Sequence, residues 1–233
     1  MKNLMNGKFA LPELQSEVQT TGGSEPSMRF TEQKLRKHID DIKAAIHREK
    51  REIPSFRCLE GDFEPMQELG ERPAAPDYDD SGWRTFTVGE FWGGYDKTAW
   101  FRTAVAIPEA WKNEKLALRF LVGPRDGGGS TAETLLYVDG RALQAIDVWH
   151  EEAWLPPELT QKGEIRIALK AWSGVLRVPD RRRFKAAELV VIDEPAERFF
   201  FLADTILKTI LELDEHDLRR IRLRELLRSE EHT

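Results

Sequence analysis

Residues 77–107 read DYDDSGWRTFTVGEFWGGYDKTAWFRTAVAI. An Asp79-Asp80-Ser81-Gly82 turn delivers Trp83, and a second turn follows at Gly93–Gly94. Aspartate side chains accept bonds from nearby backbone N–H groups, and glycine takes positive φ without steric cost. A strand then runs from Thr98 to Ile107, with Phe101, Val105 and Ile107 on one face as period-2 alternation requires. This succession of turn, aromatic anchor, turn and strand is the pattern of a β-sandwich. The rest of the chain either completes that sandwich or packs on its outside.

Downstream, Lys115–Val122 places Leu116, Leu118, Phe120 and Val122 on one face and Lys115 and Arg119 on the other. Glu133–Asp139 is a strand, and Asp139-Gly140 is a two-residue hairpin signal leading into Arg141–Asp147. Residues 148–163 read as loop, Glu164–Trp172 alternates with Ile165, Ile167 and Leu169 inward, and Ala186–Asp193 is the last strand. Upstream, Ser55–Glu60 is a strand, and residues 61–82 are a loop rich in Pro, Gly and Asp. About eight strands with hairpin turns and no intervening helices predict a mainly β fold, an antiparallel β-sandwich of jelly-roll type. The expected core comprises Phe101, Val105, Leu116, Leu118, Phe120, Leu135, Tyr137, Ile165, Ile167 and Leu169.

Helices flank the sandwich. Leu35, Ile39, Ile42 and Ile46 form one helical stripe, predicting a helix over 31–50 with Thr31 as its cap and Phe30 and Leu35 as a staple. Its other face carries Lys34, Arg36, Lys37, Lys43 and Arg48, a solvated face or a surface for anions. From Pro195 the pattern is helical again, with Phe199, Leu202 and Ile206 beside Phe200, Ala203, Leu207 and Ile210. So wide an apolar face needs cover on more than one side. A second helix spans about Asp217–Arg228. The expected organisation is a disordered lead or added extension over 1–28, an N-terminal helical segment over 29–54, a sandwich over 55–194 and a helical connector over 195–233.

Of 233 residues, 40% are hydrophobic and 33% charged, and 35 basic against 41 acidic residues leave a net charge of −6. That balance disfavours nucleic acid, whose phosphates call for a basic surface. No apolar run approaches the roughly 18 residues of a membrane span. The N-terminal residues lack the apolar core of a signal peptide. The lone Cys58 reads as a small buried side chain, and the expected compartment is the cytoplasm.

Three polar motifs stand out. Gly127-Gly128-Gly129 lacks the Gly-Lys-Ser/Thr and following helix of a phosphate loop, so it reads as a plain loop. His38 and Asp40 have the letters of a metal pair, but i and i+2 diverge on a helix. Asp147, Trp149, His150 and Glu151, with Glu152 and Trp154, are the candidate carbohydrate-binding residues. Carboxylates accept sugar hydroxyls and an indole covers the apolar face of a ring. The alternative is a surface loop anchored by two buried tryptophans.

The span Asp77–Trp172 resembles the galactose-binding-like sandwich that precedes many glycosidase catalytic domains. The motifs are the D-D-S-x-W turn (Asp79 to Trp83), the Trp100-Phe101-Arg102 strand, and the strand ending Tyr137-Val138-Asp139-Gly140. Residues 29–228 resemble the N-terminal part of a bacterial family 38 glycoside hydrolase, an α-mannosidase. The residues that carry this are Phe30-Thr31-Glu32-Gln33-Lys34-Leu35, Ser55-Phe56-Arg57, Val138-Asp139-Gly140 and Asp147 through Leu155-Pro156. The resemblance implies retaining hydrolysis of α-mannosides by an Asp nucleophile, with a His-x-Asp zinc site in a later α/β domain. No such domain follows Leu227, so the expectation is a non-catalytic N-terminal domain, inactive alone, with no cofactor of its own and zinc in the parent's catalytic domain. Its expected partners are that catalytic domain, carbohydrate and a second copy of itself. It would shape the substrate cleft or the oligomer; the alternative is a stand-alone carbohydrate-binding or interaction module.

Overall fold

The computed structural model describes residues 26–123, 132–175 and 181–230. Of the expected lead over 1–28, residues 1–25 lie outside these residues, as does the glycine run Gly127–Gly129, while 26–28 fall within the first helix. In chain order the elements are α1 (Pro26–Ala45), β1 (His47–Glu52), β2 (Ser55–Asp62), α2 (Phe63–Gln67), β3 (Arg84–Thr87), β4 (Phe91–Trp92) and β5 (Lys97–Ala106). Then come β6 (Leu116–Leu121), β7 (Glu133–Val138), β8 (Arg141–Ile146), β9 (Glu152–Trp154), α3 (Pro157–Thr160) and β10 (Glu164–Trp172). The last are β11 (Arg182–Arg183), β12 (Ala186–Ile192), α4 (Glu194–Glu212) and α5 (Leu218–Glu230). A six-stranded sheet, β3-β2-β5-β10-β7-β8, faces a four-stranded sheet, β1-β12-β6-β9, and a short β4–β11 ribbon closes one end. Every pairing is antiparallel, which makes the molecule the mainly β sandwich that the strand pattern predicts.

The interior follows from alternation. Phe101, Val105, Leu116, Leu118, Phe120, Ile165, Ile167 and Leu169 are all buried in one cluster with Leu189 and Val191. Rings concentrate at one end: Phe86 and Phe101 lie 4.9 Å apart edge to face, and Trp92 meets Phe101 at 5.5 Å. The Trp92 indole N–H donates to the Val122 carbonyl at 2.7 Å, satisfying its one polar atom inside the core. Cys58 lies in this interior, and burial pushes its thiol up to about 12. At the Asp139-Gly140 turn both residues take positive φ (48° and 82°), as a two-residue hairpin with right-twisted strands requires. Gly93 takes φ +75°, and a Cβ there would stand 2.7 Å from the Ser173 Cβ, so the turn depends on glycine twice over.

Two expected core residues face the other way. Leu136 and Val138 point into the sandwich, opposite Leu169 and Ile167 on β10, while Leu135 and Tyr137 face outward. The sequence Thr134-Leu135-Leu136-Tyr137-Val138 is apolar on both faces, so alternation alone has no polar side by which to orient it. Outside, Tyr137 joins Trp100 and Ala168 beneath Met66, Ala74 and Trp83 from the 63–83 segment, which contains α2 and a 3₁₀ turn at Arg72–Ala74.

Arg102 locks that cover down. It is 4% exposed and donates to Asp80 Oδ2 at 2.6 Å, to the Tyr78 carbonyl at 2.8 Å and to the Ala75 carbonyl at 2.7 Å. Asp79 Oδ1 accepts from the Ser81 N–H at 3.0 Å, closing the turn before Trp83. The D-D-S-x-W and W-F-R motifs are therefore two halves of one clamp.

The helices form a layer of their own. Leu35 and Ile39 on α1 pack against Ala203, Leu207 and Ile210 on α4 and Leu227 on α5. Arg220 and Arg224 both donate to Glu32 Oε1, at 3.0 and 2.6 Å. Asp193 caps α4, accepting from the Ala196 N–H at 2.9 Å, with Pro195 in the first turn.

Three details differ from the sequence reading. The first helix begins at Pro26, so Thr31 lies within it rather than at its cap, and it ends at Ala45 rather than residue 50. Residues 47–52 are an edge strand paired with β12, and Ile46 leaves the helical stripe to pack on Ala117, Val190 and Ile192. HREKRE is a good helical continuation locally. As an edge strand it contributes backbone bonds while residues 48–52 stay exposed. Within the expected 148–163 loop, Glu152–Trp154 pairs with β6 and Pro157–Thr160 is a helical turn.

Candidate carbohydrate groove

The outer face of the four-stranded sheet is polar. Arg119 on β6 lies opposite Glu152 on β9 and Glu188 on β12, as their registers dictate. Its guanidinium donates to Glu188 Oε2 at 2.9 Å and to Glu151 Oε2 at 3.3 Å. Glu152 Oε1 meets His47 Nε2 at 2.8 Å, and its backbone carbonyl accepts from Gln144 Nε2 at 2.7 Å. Burial alone would raise the Glu152 carboxyl. The bond to His47, with the charges of His47, Arg119 and Lys50, brings it below its usual value.

The 147–151 loop overhangs this face. Asp147 Oδ1 accepts from the N–H groups of Trp149 and His150, at 2.7 and 2.8 Å, and lies 3.0 Å from His150 Nδ1. Slight burial raises Asp147, but those backbone bonds and the His150 ring hold its carboxyl below the ordinary value. The carboxylate is thus spent on the turn. Its effect is to project Trp149 into solvent, 84% exposed.

Trp154, 53% exposed, stands across from it with Lys115 Nζ 3.9 Å above its ring centroid. Lys115 in turn pairs with Glu197 on α4 at 2.6 Å. Between the loop, the sheet and α4 runs an open groove of about 960 Å³, walled by Trp149, His150, Glu151, Trp154, Arg119 and Phe201.

Of the four expected residues, Trp149, His150 and Glu151 line this groove; Asp147 does not and acts as the brace of the turn. Both loop tryptophans are exposed, in contrast to the alternative in which they anchor the core. His47, Glu197 and Phe201 join the groove with no local signal in the sequence: the helical pattern of 31–50 takes in His47, and the other two lie on α4, more than 40 residues away along the chain. Arg119 was legible as the outward side of β6, but its partners were not. Among the described residues no group of three or more His, Cys, Asp or Glu side chains is placed to hold a metal ion.

Residues 58–171 match the family described as "Alpha-mannosidase, jelly roll domain". This segment is similar to an alpha-mannosidase-type jelly roll domain. The match runs from Cys58 in β2 to Ala171 in β10, so the jelly roll includes the Arg102 clamp and the whole 147–154 loop. The helical layer and the wall that α4 gives the groove lie outside it.

No curated protein matches the sequence. Among solved structures the chain is similar to a beta-glucuronidase from Bacteroides uniformis, with TM-score 0.46 and 15% identity over 61% of this chain and 18% of that one. It is also similar to an uncultured Clostridium sp. beta-glucuronidase, with TM-score 0.45 and 13% identity over 62% and 29%. A beta-glycosidase from Bacteroides vulgatus gives TM-score 0.43 and 21% identity over 61% and 20%. The chain spans less than a third of each of these proteins.

The resemblance to α-mannosidases implies zinc, and the donors present do not fit it: Ile39, between His38 and Asp40, is buried in the helical layer, and the two polar positions diverge around the helix. No described helix is long and apolar enough to cross a membrane.

Proposed function

We propose that this chain is a non-catalytic N-terminal portion of an α-mannosidase and that its groove borders the cleft in which α-mannosides are hydrolysed. The observation that carries the reading is the match of residues 58–171 to the alpha-mannosidase jelly roll family. The chemistry of the groove supports binding over bond cleavage. Glu151 and Glu152 are engaged by Arg119 and His47, and a general acid needs a carboxyl whose pKa is raised, whereas Glu152 is held low. Trp149 offers an exposed ring to a sugar, and Trp154 beside it is half-exposed with Lys115 over one face. In this reading the enzyme's own catalytic domain is the partner that covers Phe201 and Leu202, which are 58% and 62% exposed on α4. The compartment is the cytoplasm, consistent with a lone thiol that is buried.

The test uses the full-length enzyme. Trp149→Ala and Glu151→Ala, with melting temperature unchanged, should lower kcat/KM on α-mannosides. Unchanged kinetics in both variants would put the groove outside the cleft. The exposed pair of tryptophans also favours a second reading, a carbohydrate-binding module that acts on its own. Titrating the isolated chain with manno-oligosaccharides separates the two. Saturable binding that is lost in Trp149→Ala supports the module, and no binding with impaired full-length kinetics supports the enzyme part.

A further inference from the structure

The outer face of the six-stranded sheet is covered at only one end. Beyond the edge of the 63–83 cover lies a concavity of about 350 Å³ lined by Arg57, Arg102, Arg166, Asp80, Thr85 and Ala104. Arg57 on β2 pairs with Arg102 on β5, and Arg166 on β10 pairs with Ala104, so the two exposed arginines flank β5 from opposite sides. Neighbouring strands lie about 4.8 Å apart and Arg102 and Ala104 are two residues apart along β5, which sets these arginine stems diagonally about 12 Å apart across β5. Both side chains line the concavity above the strand between them. Ala104 is exposed and too short to fill the gap.

The charges are unbalanced. Three guanidiniums face one carboxylate, Asp80, and that carboxylate is engaged by Arg102 at 2.6 Å. Asp139, beside the base of Arg166, is occupied by Lys162 Nζ at 2.5 Å and by the Arg166 N–H at 2.8 Å. Among the described residues Arg57 donates from Nη1, to the Trp83 carbonyl at 3.2 Å and Thr85 Oγ1 at 3.4 Å, and its Nε and Nη2 are available to another acceptor. At the back wall Arg102 is 4% exposed, and its Nε finds no acceptor among the described residues. A local excess of two positive charges in a concave site stands against a chain of net charge −6. Such a site concentrates anions, and the planar fork of arginine matches the oxygens of phosphate and sulfate.

The geometry points to an oxyanion-binding site at Arg57 and Arg166, taking a phosphate or sulfate group, either free or esterified to a sugar. The site is separate from the groove and does not depend on the groove's role.

The experiment titrates the chain with inorganic phosphate, inorganic sulfate and mannose 6-phosphate at constant ionic strength, with chloride as control, and follows backbone amide resonances. Saturable shifts confined to Thr85, Thr103, Ala104, Arg166 and Ile167 are expected. Arg57→Gln and Arg166→Gln should each weaken affinity by about tenfold or more, the loss of one charge-assisted bond. Both residues are exposed, so both variants should keep the parent melting temperature. Equal affinity for inorganic phosphate and the ester assigns the site to the free anion, and tighter binding of the ester assigns it to a sugar-borne group. Absence of saturation with all three probes, shifts reproduced by chloride, or affinity unchanged in the double variant would overturn the proposal.

Discussion

The two outer faces of this sandwich are built by the same alternation and end up opposite in character. Outside the six-stranded sheet, Trp100 and Tyr137 are buried beneath a segment of the chain's own backbone, and Arg102 is buried as the clamp that holds that segment. Outside the four-stranded sheet, Arg119, Glu152 and Glu188 form ion pairs in partial contact with water, and Trp154 is left exposed. The difference teaches that an outward-facing tryptophan in a sheet is not by itself a ligand signal. What decides its role is whether the chain supplies a cover. Trp83 and Trp100 are the same residue type as Trp149 and Trp154, yet the first pair is structural and only the second pair is available to a ligand.

The largest expected effect separates the two faces directly. Trp100→Ala should cost about 3–5 kcal/mol in a urea melt, because it opens a cavity under the 63–83 segment, whereas Trp154→Ala should cost far less. Equal losses would erase the distinction between covered and open faces. Next, Arg102→Met should cost about 3 kcal/mol, because Asp80 and two carbonyls lose their donor in a partly buried place. Proteolysis should then cut first within residues 63–83. Cleavage elsewhere, with this segment intact, would show that the clamp is not what holds the cover.

A smaller effect concerns acid. The folded-state pKa of Glu152 is depressed, so the stability it contributes is present above its unfolded value of about 4.3 and is lost as pH falls through the lower folded value. Glu32, between Arg220 and Arg224, behaves alike: burial raises it, and the two arginines more than reverse that. The Glu152 side chain is about a third exposed, so Glu152→Gln should flatten the acid limb of the stability curve by no more than about 1 kcal/mol. An unchanged acid limb would mean that the His47–Glu152 pair does not contribute to folding. The smallest effect is on Trp149. Trp149→Ala should leave stability within about 0.5 kcal/mol of the parent, as a side chain projecting into water should. A clear loss would show that the loop is packed rather than open.

The sequence by itself determined the sandwich interior, the hairpin at Asp139-Gly140 and the helices at either end. Each rests on a local rule: period-2 burial, the φ demanded by a turn, or a 3.6-residue stripe, with Pro195 in the first turn of the later helix. Local rules also placed Trp149, His150 and Glu151 on a loop between strands. Only the tertiary structure decided that HREKRE is an edge strand and that Leu135 and Tyr137 face outward. Those outcomes depend on which strand edge stands open beside β12 and on a cover supplied from residues 63–83. Only the tertiary structure, too, set His47, Arg119 and Glu197 around the loop, since side chains from β1, β6 and α4 meet there through contacts that span 105, 32 and 82 residues. The reason is the same in each case. Alternation tells which residues share a face, but what lies against that face is fixed by non-local pairing, which no window of sequence contains.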